Sequence, residues 1–115
     1  MYCPQTYLRR SRAAPIQNPA ASMSQMRAVL AHHVSAERLQ KISKDVPRIV
    51  IVAGDDDQMV DVRNSSYLKD NMPEAELIHW EGTGHVLQAQ WPERYNKLLE
   101  KTIQQGRENC IASTS

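Results

Sequence analysis

Three consecutive carboxylates, Asp55, Asp56 and Asp57, and a histidine in the glycine-flanked run Gly82-Thr83-Gly84-His85 are the residues of this chain best suited to chemistry. A carboxylate beside an imidazole holds the neutral ring in one tautomer and stabilises the imidazolium, which makes the histidine a competent general base. Each residue also has a plainer reading. Asp55, Asp56, Asp57 and Asp61 can be solvated loop carboxylates that cap the helix after them, and His85 can be a loop histidine bonded to backbone.

Other chemistries fail on spacing. In a calcium loop starting at Asp55, Val60 would stand at the obligatory glycine and Ser66 at the closing glutamate. A phosphatase-like nucleophilic aspartate in Asp55-x-Asp57 is disfavoured because Gly54 separates the pair from the strand before it. Gly82-x-Gly84 is not a dinucleotide loop, since Leu87 occupies the third glycine position. His32 and His33 are adjacent and cannot share a helix face as i,i+4 zinc ligands do, and His79 falls within a strand. No metal and no cofactor is therefore read from the sequence.

The elements that must position these residues are α/β in pattern. Val46 to Ala53, with Ile49, Val50, Ile51 and Val52 in a row, is β-branched without alternation, as in a parallel strand covered on both faces. Gly54 ends it, and the acidic triplet follows. Asp61 caps a helix to about Asn71, stopped by Met72-Pro73. Glu76 to Trp80 reads as a second strand, and His85 lies in the loop beyond it. A last helix opens at Trp91-Pro92, with Tyr95, Leu98, Leu99 and Ile103 as its apolar stripe and Gly106 as its C-terminal cap. Upstream, Met26, Val29, Leu30, His33 and Val34, then Leu39 and Ile42, fall at helical spacing, with Ser24 and Ser35 as caps and a break at Ser35. Trp80, Trp91 and Tyr95 read as core or rim packing. Ligand sites in open α/β sheets lie beyond the carboxyl ends of the strands. Asp57 and His85 would meet there, since adjacent strands lie about 5 Å apart. Gly82 and Gly84 leave the loop free to take positive φ.

The run Pro47-Arg-Ile-Val-Ile-Val-Ala-Gly-Asp-Asp-Asp57-Gln-Met-Val60, followed by Met72-Pro-Glu-Ala-Glu-Leu and Gly82-Thr-Gly-His85, resembles the C-terminal part of the α/β-hydrolase fold family. The resemblance covers about residues 23 to 104. It implies the C-terminal β-α-β-α portion of a hydrolase sheet preceded by one or two helices. It also implies hydrolysis of an ester, amide or related bond by a triad in which Gly54-x-x-Asp57 supplies the acid and Gly84-His85 the base. The family's nucleophile, usually Ser in G-x-S-x-G, has no counterpart: the glycines at 54, 82, 84 and 106 form no such elbow. The expectation is a truncated hydrolase, with a small-molecule substrate only if the missing half is present. Two alternatives stand beside it: a non-catalytic interaction module that self-associates through an exposed strand edge, and a non-functional fragment.

Composition bounds the rest. With 115 residues, 41% hydrophobic and 23% charged, the chain has a globular balance and room for one small domain. A net charge of +1 argues against a dedicated nucleic-acid or anionic-membrane surface. The charge is uneven, because Arg9, Arg10, Arg12 and Arg27 precede the first acidic residue, Glu37. Pro4, Pro15 and Pro19 would interrupt the amphipathic helix of a mitochondrial signal, so the start reads as a disordered basic tail over 1–21. A partial hydrolase domain over 22–106 and a polar tail over 107–115 complete the division. No apolar run approaches the roughly 20 residues of a membrane span, and a cytoplasmic location is expected. Cys3 and Cys110 lack both CxxC spacing and a secretory context and read as reduced thiols.

Overall fold

The computed structural model describes Arg9 and residues 12–113, and within them the chain divides at Val34/Ser35 into two units. The N-terminal unit contains helix α1, Pro19–Ala31. Asn18 caps it by accepting from the Ala20 amide at 2.9 Å, and Pro19 takes the first position, where no partner for its nitrogen is required. The helix thus starts before Ser22, and Ser24, expected as a cap, lies inside it. Of the expected tail over 1–21, residues 1–8, 10 and 11 fall outside the described residues. No residue of α1 is buried.

The second unit holds α2 (Ala36–Asp45), β1 (Val50–Gly54), α3 (Val62–Asn71), β2 (Glu76–Trp80), α4 (Leu87–Gln90) and α5 (Pro92–Ser113). It is a mixed α/β arrangement around a two-stranded parallel sheet. Ser35 caps α2 through the Arg38 amide, and Leu39 and Ser43 form its buried line. β1 begins four residues later than the apolar run predicts. Val46 still closes α2 by donating to the Ile42 carbonyl, and pairing with the five-residue β2 starts at Val50 opposite Glu76. The pairing is framed by Glu76 N–H donating to the Ile49 carbonyl and Asp55 N–H donating to the Trp80 carbonyl, both near 3 Å. In a parallel ladder alternate residues face the partner, so the backbone groups of Val50 and Val52 face the other edge, which carries no strand among the described residues. Cover is uneven: Ile51 and Ala53 are buried, whereas Val50 and Val52 are only half-buried.

The core comprises Leu39, Ile51, Ala53, Met72, Ala75 and Trp80. α5 departs from expectation twice. Its covered line is Tyr95, Leu98, Thr102, Gln105 and Gly106, leaving Leu99 and Ile103 about half exposed. It also continues past Gly106 to Ser113, so the expected polar tail is helical as far as the described residues go. A glycine inside a helix costs about 1 kcal/mol relative to alanine. The helix nevertheless runs on, tied to the Pro47-Arg48 segment on both sides of Gly106: Arg48 Nε donates to Gln105, and Asn109 donates to the Pro47 carbonyl. α3 is capped by Asp61, whose carboxylate accepts from the Arg63 amide and guanidinium.

Candidate functional site

The two loops beyond the strand ends meet because Gly54 lets them. A Cβ at Gly54 would stand 2.1 Å from the Thr83 carbonyl oxygen and 2.8 Å from that of Gly84, so only glycine admits the second loop across the end of β1. Across that contact Asp56 N–H donates to the Thr83 carbonyl at 3.0 Å, and Thr83 N–H donates to Asp55 Oδ1 at 3.3 Å. Asp55 therefore reaches the neighbouring loop rather than pointing only to water, while Asp56 accepts from the Gln58 amide on the surface.

This contact brings the expected acid and base together. Asp57 Oδ2 lies 3.0 Å from His85 Nδ1. Asp57 Oδ1 accepts from the Met59 and Val60 amides at 2.9 and 3.0 Å, and the Asp57 amide donates back to the Gly54 carbonyl. The Val60 amide is the main reason the Asp57 carboxyl titrates below the usual carboxylate range. Partial desolvation opposes that shift, and His85 and the Met59 amide add to it. The Asp57 side chain is 15% exposed and that of His85 43%. With Nδ1 turned to a carboxylate, the neutral ring carries its proton on Nδ1 and keeps Nε2 as the basic nitrogen. Nε2 has no hydrogen bond among the described residues.

The Gly-His loop is fastened by residues that sequence reasoning assigned no part in the site. Gln90, at the end of α4, donates through Nε2 to the Gly82 carbonyl at 2.7 Å and accepts through Oε1 from the Gly84 amide at 3.0 Å. Trp91 Nε1 donates to Thr83 Oγ1 at 3.0 Å, and that fully buried hydroxyl donates to the Glu81 carbonyl. Trp91 is thus a hydrogen-bonding support as well as packing. Of the loop's two glycines only Gly82 takes positive φ, at 59°, so the freedom expected at Gly84 is not used that way. Trp80 packs in the core under Arg94, whose guanidinium carbon lies 4.3 Å from the ring centre. One sequence signal could have pointed to Gln90: a loop with free amides and carbonyls at two glycines, followed closely by a side chain that both donates and accepts.

A hollow of about 190 Å³ opens beside the pair. Val52, Val60, Val62 and Leu87 give it apolar walls, and Asp57, His85 and Ser65 supply polar side chains. Among the described residues no group of three or more His, Cys, Asp or Glu could hold a metal ion, and no helix is long and apolar enough to cross a membrane. No protein-family model, curated protein or solved structure matches the chain.

Proposed function

We propose that this chain carries the acid and the base of an α/β-hydrolase-type active site. Asp57 orients and charge-stabilises His85, and His85 Nε2 takes the proton of a nucleophile and returns it to the leaving group of an ester, amide or related substrate. The observation that carries the reading is the 3.0 Å contact between His85 Nδ1 and an Asp57 carboxylate whose other oxygen is held by two backbone amides. Such an acid needs no reorganisation when the imidazolium forms. Further support comes from its setting, beyond the carboxyl ends of adjacent parallel strands.

On this reading the nucleophile and the oxyanion amides come from polypeptide that is not in this sequence, since no G-x-S-x-G elbow occurs in it. The hollow is in proportion: complete ligand sites occupy roughly 300–1,000 Å³, so at about 190 Å³ it forms one part of such a site. The chain alone should not react with a fluorophosphonate serine probe. Joined to a nucleophile-bearing hydrolase half, it should give one labelled serine and turnover that His85→Ala abolishes. Stoichiometric labelling of the chain by itself, or turnover indifferent to His85→Ala, would refute the proposal.

The open edge of β1 favours a second reading, a non-catalytic module that self-associates by strand pairing. Unpaired backbone groups along an apolar strand are a template for another chain. Sedimentation over a hundredfold concentration range decides this: association that fails on Val52→Pro supports it, and a monomer throughout removes it.

A further inference from the structure

We propose that Gln90 is the positioning residue of the Asp57–His85 pair, an inference that rests on the reading of that pair as the catalytic acid and base. The amide side chain bridges the two peptide groups that flank Thr83: Nε2 to the Gly82 carbonyl at 2.7 Å and Oε1 to the Gly84 amide at 3.0 Å. Those partners fix which end of the amide faces which, because a carbonyl can only accept and an N–H only donate. No other common side chain of that length offers one donor and one acceptor on a rigid plane. Glutamate keeps the acceptor for Gly84 and sets a carboxylate oxygen against the Gly82 carbonyl, while methionine fills similar space with neither function.

The need for such a clamp follows from the loop's composition. Gly82 and Gly84 restrict the backbone least of all residues, and Gly82 is already in the left-handed region. Thr83, between them, is anchored without Gln90, by the Asp56 amide, by Asp55 Oδ1 and by Trp91 Nε1. The segment from Gly84 to His85 has no such anchor. Among the described residues its backbone is bonded through the Gly84 amide to Gln90 alone, and its side chains through His85 to Asp57 alone. Gln90 therefore sets the direction in which the chain leaves Thr83, and so whether the imidazole reaches the carboxylate. It touches neither the ring nor the acid, and acts through the backbone.

The test uses the full chain with ¹⁵N-labelled histidine, read at a pH where the His85 ring is neutral. Imidazole ¹⁵N shifts report how the ring is divided between Nδ1–H and Nε2–H tautomers, and exchange of the Thr83 amide reports whether the loop's anchor is intact. Wild type should hold the Nδ1–H form. Gln90→Met, which loses both bonds, should shift the paired-to-unpaired ratio of His85 by more than about fivefold, the factor that one net hydrogen bond carries, with Thr83 protection unchanged. Gln90→Glu, retaining the Gly84 contact, should fall between the two, and it decides the matter if the methionine variant does not fold. A wild-type tautomer signature in the folded variants would overturn the role of Gln90 and leave the pair standing. An Nε2–H ring in wild type would instead overturn the pair itself, and the inference with it.

Discussion

The two loops that form the site are held in opposite ways. Asp57 is held locally, although its neighbours Asp55 and Asp56 bond across to Thr83: it draws its amide donors from Met59 and Val60 and returns its own amide to Gly54, all within three residues along the chain. The Gly-His loop depends on other segments, namely Gln90 and Trp91 six to eight residues on and the acidic loop 28 residues back. An acid built locally keeps its geometry whatever surrounds it. A histidine carried on a glycine loop has the geometry its supports impose, so disturbance at a distance should fall on His85 and spare Asp57.

The change that should break this division most severely is Gly54→Ala. Its methyl would meet the Thr83 backbone at 2.1 Å, where nothing flexible can yield. The cost should be about 3 kcal/mol or more in urea unfolding, with partial or complete loss of the fold. Unchanged stability would mean that the loops do not cross there.

Trp91→Phe comes next, because it withdraws the indole donor from a fully buried threonine hydroxyl. About 1 kcal/mol of stability should go. Hydrogen exchange should quicken at Thr83 and Gly84 and remain slow at Val60, and equal acceleration at both loops would contradict the contrast.

A subtler effect is expected in the titration of Asp57 in His85→Ala, followed by carboxyl ¹³C shifts. The folded-state value lies below the ordinary one of about 3.9. Ionised Asp57 therefore adds stability at higher pH, and that stability is lost as the pH falls through the lower folded value. Because the Val60 amide is the leading cause, titration in the variant should remain depressed. A return to the ordinary carboxylate range would show that the acid depends on the base after all. Smallest of all, Gln58→Ala, which removes an exposed bond to Asp56, should stay within about 0.5 kcal/mol of wild type in the same unfolding experiment.

Residue type and strand position made the meeting of Asp57 and His85 legible in the sequence. A carboxylate and a histidine beyond two apolar runs have few ways to be arranged once the runs pair in parallel. β2 was legible to the residue, as was the Asp61 cap. Gly54 was legible as a terminator but not as a crossing point, because close approach belongs to the partner backbone and leaves no local mark. Gln90, and the hydrogen-bonding part of Trp91 beyond the packing expected of it, were not legible for a related reason: these side chains carry no reactive group, and their partners are backbone or hydroxyl groups whose positions depend on the turn. Gly106 misled because its helix-ending preference is overridden by contacts with Arg48 and Pro47, far away in sequence. α1 shows the converse: apolar spacing pointed to a helix, but its cap is Asn18 rather than Ser24, and the helix buries no residue.

The central claim is that Asp57, and neither of its acidic neighbours, serves His85. It is tested most directly by the turnover of Asp57→Asn and Asp55→Asn side by side, in the chain joined to a nucleophile-bearing half. Asp57→Asn should lower kcat by roughly four orders of magnitude, as loss of the correct tautomer does in triad enzymes. Asp55→Asn, which keeps an acceptor for the Thr83 amide, should cost far less. A severe loss at Asp55 with Asp57→Asn harmless would contradict the account.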